Sequence, residues 1–324
     1  MVSKSLLLKS RGKLFKETDF PFLGKRLQGK VRDIYFLGGK RLLITTDRIS
    51  AFDKVLGYIP YKGQVLNQLS AFWFDKTKDI IANHLIDIVH PNIAIVKNAQ
   101  PYPVEMVVRG YITGVTTTSI WYWYEKGDRV IYGIRFPEGL RKNQKLKNPV
   151  LTPTTKAEHG AHDEKLTHED IIKKRLISPK ILKQMEKVAL ALYKRGNALC
   201  QKRGLILVDT KYEFGQINGK LVLIDEIHTP DSSRFWVARS YVKRFKDGKE
   251  PENYDKEFFR RWYAETKGYR GEGPPPKMSK ELQIKTAERY ISIYEKITGK
   301  KFKPEKYPLS ANINKILRRL YEKR

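Results

Sequence analysis

Apolar positions in the first third of the chain mostly alternate as they do in strands, with one helical stretch. Residues 30–37 and 41–46 each read as a strand, and Gly38–Gly39 between them is typical of a two-residue hairpin turn. From Gly63 to Ile81, apolar residues recur at helical spacing, which predicts one amphipathic helix. We therefore expect this part of the chain to consist mainly of strands.

A pair of prolines marks the predicted boundary between two lobes. Pro101 and Pro103 punctuate the chain just before an apolar strand, and proline is a strong signal for a break in regular structure. We therefore divide the chain into a mostly β N-terminal lobe at 1–103 and a C-terminal lobe at 104–324.

The second lobe is predicted to mix strands with helices and to finish in a helical tail. Ser178–Pro179 is a good helix start, because serine caps the first turn and proline fits it, and Gly204 marks the end. A loop rich in glycine and proline at 268–276 precedes two amphipathic helices at 279–298 and 310–323. The predicted fold class is α+β, with two lobes built on antiparallel sheets, flanking helices and a helical C-terminal tail.

Two apolar runs in the second lobe each end in carboxylates, and Asn218–Gly219 lies between them. Asparagine followed by glycine favours a hairpin, because both residues tolerate positive φ. Side chains alternate between the faces of a strand, so Asp209, Lys211 and Glu213 should share one face. Acid, base and acid on one face indicate a site for a divalent metal and phosphate, although a solvated strand face is the alternative.

The register of this hairpin decides whether two acids can share one cation. A strict two-residue loop would pair Glu213 with Ile224 and place Asp225 on the opposite face. A three-residue loop with a bulge would place Glu213 opposite Asp225 instead. We predict the longer loop, or a bulge at Gly215.

Composition indicates a folded protein with room for two domains. The chain has 324 residues, of which 40% are hydrophobic and 11% aromatic. No uncharged apolar run approaches the roughly 18 residues that a membrane span needs. Cys200 is the single cysteine, so no internal disulfide can form. We expect a cytoplasmic protein with no membrane partner.

The net charge of +29, from 64 Lys and Arg against 35 Asp and Glu, attracts polyanions such as nucleotides, phosphorylated metabolites or nucleic acid. An RNA-binding protein is therefore an alternative, but the carboxylates described above argue against it, because a binder of phosphate backbones has no use for acids in its groove. His159, His162 and His168 match no common zinc spacing.

The stretch Gly29–Asp33 has a glycine and two cations on a strand, which by itself is a weak phosphate signal. It gains weight from the segments that follow it in order, namely 46–53, 60–67, 107–114, 152–158 and the carboxylate hairpin at 205–226. In this order and spacing the segments resemble the SAICAR synthetase family, the phosphoribosylaminoimidazole-succinocarboxamide synthases of purine biosynthesis. The resemblance covers roughly residues 29–236.

The resemblance implies a ligase that joins L-aspartate to the carboxylate of carboxyaminoimidazole ribonucleotide, with ATP as co-substrate and Mg²⁺ as cofactor. It implies that ATP lies in a cleft between the two lobes. No nucleic acid partner is expected. A small-molecule kinase of similar architecture, which would stop at phosphoryl transfer, is the alternative within the enzymes.

The resemblance also implies roles for individual residues at the ATP end of the cleft. Lys30 and Arg32 would lie against the phosphates, and Glu105 would belong to the hinge that holds adenine. Glu213 would contact ATP and, with Asp225, bind the magnesium ion.

For the ribonucleotide, the resemblance implies that Arg109 and Arg234 bind its phosphate or carboxylate, with Asp209 and Lys211 as catalytic residues of the same pocket. Hydroxyl groups and one loop would complete the contacts with substrate, namely Ser232 and Ser233 beside Arg234, and Thr154, Lys156, Glu158, His162 and Asp163. Where many family members have a phosphate-binding serine, this chain has Val115. One of the hydroxyl residues 116–119 would then take its place.

Overall fold

A computed structural model describes residues 2–156 and 163–322 of the chain. Its strands are β1 (Leu27–Gln28), β2 (Arg32–Leu37), β3 (Lys40–Thr45), β4 (Arg48–Ala51), β5 (Lys54–Tyr58), β6 (Leu85–His90), β7 (Ile93–Lys97), β8 (Gln100–Ile112), β9 (Val130–Ile131), β10 (Ile134–Arg135), β11 (Gln144–Leu151), β12 (Thr154–Thr155), β13 (Leu205–Ile217), β14 (Lys220–Ile224) and β15 (Ser233–Val237).

The α-helices are α1 (Lys4–Ser10), α2 (Lys62–Thr77), α3 (Ile120–Glu125), α4 (His168–Lys173), α5 (Pro179–Gln201), α6 (Ala238–Lys246), α7 (Glu257–Arg261), α8 (Lys280–Thr298) and α9 (Ser310–Glu322). Short 3₁₀ turns occupy Arg11–Lys13 and Pro21–Leu23, and a π-helical turn at Trp262–Thr266 extends α7. Mixed helices and antiparallel sheets confirm the predicted α+β class. No helix in the described part of the chain is long and apolar enough to span a membrane.

The first sheet contains five antiparallel strands in the order β1-β2-β3-β7-β6. Its β2–β3 hairpin pairs Leu37 with Lys40, so Gly38–Gly39 form the two-residue turn that the sequence predicts. Helix α2 is shorter than predicted, because it ends at Thr77 and the chain turns before Ile80.

The second sheet has the order β11-β8-β13-β14, with β12 also paired to β8 and β15 to β13. The long strands β8 and β13 lie side by side at its centre, and α5 packs on them. Helix α5 begins after its N-cap Ser178, as predicted, and its buried face includes Met185, Leu192 and Cys200.

The predicted longer loop in the β13–β14 hairpin is wrong. Glu213 pairs with Ile224 and Ile217 with Lys220, so Asn218–Gly219 form a strict two-residue loop without a bulge at Gly215. Both turn residues have positive φ, 51° and 73°, which suits the tight primed turns that join twisted strands.

Asp225 nevertheless faces the same cleft as Glu213, and the alternation of side chains along a strand does not explain why. The strand ends at Ile224, and Asp225 adopts a left-handed backbone with φ of 62°. The pairing of β13 with β8 does contain a register shift in this region. Glu213 pairs with Glu105 and Gly215 with Pro101, so the three residues 102–104 lie opposite the single residue Phe214.

Pro101 and Pro103, the proposed lobe boundary, lie within the first residues of β8. Backbone hydrogen bonds also join the two sheets near this point: the amide of His84 donates to Leu223 over 3.1 Å, and the amide of Leu223 donates to Ala82 over 3.0 Å. The space between the sheets is therefore a cleft that backbone hydrogen bonds close along one side.

The helical tail returns to the N-terminal part of the chain. Helix α8 packs against α2 and α1. The Tyr307 hydroxyl donates to the Asp47 carboxylate over 2.6 Å, and the Gln64 side chain donates to the carbonyl of Lys303 over 2.7 Å. These contacts bring residues from the end of the sequence close to the segments that follow the first sheet strands.

Candidate active site

A cavity of about 780 Å³ lies between the two sheets, and among the described residues every site residue predicted from the sequence except Thr154 lines it. This volume is within the usual range for small-molecule sites. Thr154 does not line the cavity; it pairs with the strand beside Glu105. The predicted loop residues Glu158 and His162 lie outside the described residues. The structure thus brings together side chains that are up to about 200 positions apart in the sequence.

Strand alternation places Asp209, Lys211 and Glu213 along the cleft, as the sequence predicts. Lys211 and Glu213 form, together with Glu105 and Lys156, a group of two acids and two lysines that we term the carboxylate cluster. Lys211 Nζ contacts Glu105 and lies 3.1 Å from Glu213 Oε1, and Lys156 Nζ lies 2.6 Å from Glu213 Oε2. Each acid in the cluster therefore contacts at least one lysine.

Burial and these ion pairs shift the protonation of the carboxylate cluster in opposite directions. Burial, with the charges of Glu213 and Asp163, raises the pKa of Glu105 to about 7. Burial alone would also raise the pKa of Glu213, but Lys211 and Lys156 outweigh it and hold that pKa well below its usual range. Glu213 is therefore the carboxylate that stays ionised throughout the physiological range.

Arg32 connects the first sheet to the chain just after β14. Its guanidinium lies 2.9 Å from Asp225 Oδ1 and also contacts Glu226, whose other oxygen accepts from the Thr229 hydroxyl over 3.0 Å. Burial and the neighbouring acids Glu213 and Glu226 raise the pKa of Asp225 to about 6. Because Asp225 lies close to these two acids, an added positive charge beside it is favourable.

A second chain of ion pairs runs through Asp209. Its Oδ2 lies 3.3 Å from Arg109 and 2.6 Å from Arg234. Arg109 also donates to the Thr152 hydroxyl over 2.8 Å and to the carbonyl of Thr118 over 2.8 Å. Two fixed guanidiniums around one carboxylate suit a ligand with its own negative charge, because planar guanidinium groups bind carboxylate and phosphate well.

Hydroxyl groups line the same region of the cleft. Ser233 donates to the Thr210 hydroxyl over 2.8 Å, and the Ser232 hydroxyl accepts from the amide of Thr229 over 3.2 Å. The residues after Val115 also line the cavity, while Val115 itself is 48% exposed. Ser119 and Thr116 share a hydrogen bond of 2.9 Å there, so the expected substitutes for the family serine reach the cleft.

Sequence reasoning missed a buried group that also borders the cleft. Lys62 Nζ lies 2.7 Å from Asp231 Oδ2, and Lys256 Nζ lies 3.8 Å from the same oxygen; we term Lys62 and Lys256 the lysine pair. The hydroxyl of Tyr290, from α8, donates to Asp231 Oδ1 over 2.5 Å. These residues are far apart in the sequence, so no local spacing could have grouped them.

The predicted metal ligands are hard oxygen donors, but the described residues contain no group of three or more His, Cys, Asp or Glu arranged to bind a metal. Lys30, predicted to face phosphates, contacts Asp53 at the mouth of the cleft and is 42% exposed in its side chain. The cleft therefore combines fixed cations, ionised acids and hydroxyl groups, which suits the binding and transfer of phosphoryl groups.

Comparison with known proteins identifies the family. The SAICAR synthetase family model matches residues 25–276. A phosphoribosylaminoimidazole-succinocarboxamide synthase of Legionella pneumophila is 50% identical over 297 residues, which cover 91% of this chain and 94% of that protein.

Solved structures agree with this result. The SAICAR synthase of Saccharomyces cerevisiae, solved with SAICAR, is 32% identical with a TM-score of 0.76 and covers 89% of this chain and 99% of its own. A SAICAR synthetase in complex with ADP is 27% identical with a TM-score of 0.66 and covers 86% of this chain and 100% of its own. The chain thus belongs to the SAICAR synthetase family, the carbon–nitrogen ligases of purine biosynthesis.

Proposed function

We propose that this protein condenses L-aspartate with the carboxylate of carboxyaminoimidazole ribonucleotide, using ATP and releasing SAICAR, ADP and phosphate. The observation that carries the proposal is the cleft between the sheets, which is lined by lysine and arginine side chains suited to binding phosphate and by ionised carboxylates. The family relatives, and the solved complexes of two of them with SAICAR and ADP, support the same set of ligands.

A carboxylate is a poor acyl donor, because its oxygen is a poor leaving group. In the proposed reaction a carboxylate oxygen of the ribonucleotide attacks the γ-phosphorus of ATP, and ADP leaves. The neutral amine of aspartate then attacks the carbonyl carbon of this acyl phosphate, phosphate leaves with the bonding electrons, and the new amide nitrogen loses a proton. Fixed cations stabilise the charge that spreads over the transferring group.

We assign the phosphates of ATP to Lys30 and Arg32, in a nucleotide-binding lobe of residues 1–103, and the adenine side to the backbone around Glu105, just after this lobe. Arg32 is held by Asp225 and Glu226, so its guanidinium is fixed in place before ATP arrives. A guanidinium that needs little reorganisation stabilises phosphoryl charge better than a mobile one.

Glu213 and Asp225 fit a magnesium ion. They supply hard oxygen ligands, and their mutual repulsion, seen in the raised pKa of Asp225, would be relieved by a cation. Two protein carboxylates are enough for Mg²⁺, which prefers hard oxygen ligands, so Glu213 and Asp225 would hold the ion. When bound, it would neutralise charge on the ATP oxygens.

We assign the ribonucleotide to Arg109, Asp209, Lys211 and Arg234. The Asp209 carboxylate holds both guanidiniums in one orientation, so they can receive the phosphate or the carboxylate of the substrate without rearrangement. The cleft-lining side chains of Lys156, Asp163, Ser232 and Ser233 would complete the contacts with substrate.

A coupled assay of ADP release, with each substrate omitted in turn, tests the proposal. ADP release should require ATP, the ribonucleotide and aspartate together, and SAICAR should appear in equal amount. Rapid ADP release from ATP and the ribonucleotide without aspartate would instead identify a kinase and refute the ligase proposal.

A further inference from the structure

The turn that follows β14 contains two residues other than glycine with a left-handed backbone. Asp225 has a φ of 62° and His228 has a φ of 48°. Such a conformation is strained, and it persists only where the surrounding structure holds it in place. Because Asp225 reaches the cleft through this turn, the contacts that hold the turn decide where its carboxylate lies.

The start of this turn is fixed by backbone hydrogen bonds between the two sheets. The amide of Leu223 donates to the carbonyl of Ala82 over 3.0 Å, and the amide of His84 donates to the carbonyl of Leu223 over 3.1 Å. Arg32 binds the carboxylates of the two acids that come next. The far end of the turn is held by a different contact, which involves a side chain that no step of the reaction uses.

The ring of His228 is enclosed behind the cleft. It is fully buried, its Nε2 shares a hydrogen bond of 2.6 Å with the Tyr212 hydroxyl, and Trp73 packs edge-on against it with ring centroids 4.7 Å apart. Burial lowers the pKa of His228 to about 3, so the ring is neutral. His228 does not line the cavity, so it acts on the cleft through the turn and not by touching a substrate.

A glycine in α5 provides the space for this ring. A Cβ at Gly196 would lie 2.8 Å from His228 Nδ1 and 2.9 Å from Leu207 Cδ2, too close for a side chain to fit without displacing the ring. Glycine in the middle of a helix lowers stability relative to alanine. The close packing of His228 explains why a glycine nevertheless occupies this position.

Tyr212 connects the turn to the strand that carries two residues of the carboxylate cluster. It lies between Lys211 and Glu213 on β13, and its ring lies behind the cleft because alternate side chains point to opposite faces of a strand. Among the described residues the Tyr212 hydroxyl is the partner of His228 Nε2, and His228 Nδ1 has none. One buried hydrogen bond therefore couples the position of the turn to the position of Glu213.

We propose that His228, held by Tyr212, is a positioning residue that keeps Asp225 close enough to Glu213 for the two acids to share one magnesium ion. This inference rests on the proposed function, in which these acids hold the ion. Groups that orient a metal ligand without touching the metal strongly affect metal binding. Without this anchor the strained backbone of the turn would relax, and the carboxylate of Asp225 would leave its place beside Glu213.

The test compares Tyr212→Phe and His228→Asn with a matched control, Tyr193→Phe. Tyr193 is also buried behind β13, but its hydroxyl donates to the carbonyl of Leu207 over 2.8 Å, nearer the start of the strand. Asparagine tolerates a left-handed backbone, but its side chain is too short to reach the Tyr212 hydroxyl. His228→Asn therefore removes the ring while the backbone of the turn can keep its conformation.

The main readout is the binding of Mn²⁺, a paramagnetic substitute for magnesium, measured by electron paramagnetic resonance at saturating ADP. The dissociation constant for Mn²⁺ should rise about tenfold or more in Tyr212→Phe and His228→Asn, and it should stay within about twofold of wild type in Tyr193→Phe. The affinity for ADP alone, measured in EDTA, should be the same in all variants, because Lys30 and Arg32 are unchanged. The two tyrosine variants should lose similar thermal stability, because each loses a buried, hydrogen-bonded hydroxyl.

Three results would overturn the positioning role. The first is unchanged Mn²⁺ binding in both Tyr212→Phe and His228→Asn. The second is an equal loss of Mn²⁺ binding in Tyr193→Phe, which would indicate a general loosening of the sheet, and the third is a wild-type protein that binds no Mn²⁺ at all. If wild-type protein releases ADP without aspartate, the proposed function fails while the Mn²⁺ comparison keeps its meaning, so the two failures are distinguishable.

Discussion

The carboxylate cluster and the lysine pair both border the cleft, but they differ in how their buried charges are balanced. In the carboxylate cluster two acids face two lysines, with contacts of 3.1 Å and 2.6 Å around Glu213. In the lysine pair one carboxylate serves two lysines, and the second contact stretches to 3.8 Å. A balanced group can hold its geometry without substrate, whereas an unbalanced group gains most when an anion arrives.

The largest expected effect comes from Glu213→Gln, which gives the carboxylate cluster the same charge imbalance as the lysine pair. We expect kcat to fall at least about 100-fold, because the ionised carboxylate at the centre of the cluster is lost. Activity should be measured at several magnesium concentrations, with melting temperature as a check on folding. Glu281→Gln, on the exposed surface of α8, is the matched control. Normal activity at ordinary magnesium would rule out Glu213 as a ligand.

Arg234→Ala tests whether the Asp209 ion pairs belong to the ribonucleotide. We expect the KM for the ribonucleotide to rise about 10- to 100-fold, because a charged contact with substrate is removed and Asp209 keeps only Arg109. Lys30→Ala should instead chiefly raise the KM for ATP. Unchanged Michaelis constants in both variants would refute this division of the cleft.

Tyr290→Phe disturbs the lysine pair from outside the cleft. The change removes the hydroxyl that donates to Asp231, and leaving a buried carboxylate with one hydrogen bond fewer costs about 1–3 kcal/mol of unfolding free energy. Tyr294→Phe, one turn further along α8, is the control and should change stability little. Urea unfolding measures both; equal stability of the two variants would show that Tyr290 does not support Asp231.

The smallest effect is a change of stability with pH. Lys256 has a folded pKa of about 8 against 10.5 ordinarily, so its proton is released from the folded protein first. Below pH 8 the buried charge lowers stability in full, and between pH 8 and 10.5 this cost disappears. The free energy of unfolding of Lys256→Met should therefore exceed that of the wild type by on the order of 1–3 kcal/mol at pH 7. The difference in unfolding free energy between the two proteins should narrow by pH 9.5. A constant gap in urea unfolding would contradict the shifted pKa.

Much of the fold and most of the cleft could be predicted from the sequence, because their signals are local. The Gly38–Gly39 turn, the capped start of α5 and the alternation of Asp209, Lys211 and Glu213 all follow from neighbouring residues. The resemblance to a family supplied what local patterns lack, namely which distant segments line one cleft.

Two features could not be predicted, for different physical reasons. The position of Asp225 depends on a left-handed backbone beyond the end of its strand, and the period of a strand says nothing about such a residue. The lysine pair depends on tertiary packing that joins Lys62, Asp231 and Tyr290 across more than 200 positions. No spacing rule links them, and Tyr290 lies beyond the range that the family model matches.

The return of the tail to the first sheet has a consequence for the order of folding. Helix α8 packs on α2, and Tyr307 donates a hydrogen bond to Asp47, so the packing of residues 47–77 is completed by residues that are synthesised about 200 positions later. The packing of these residues therefore stays incomplete until residues beyond 280 have been synthesised. We therefore expect residues 47–77 and the helical tail to fold in one cooperative step.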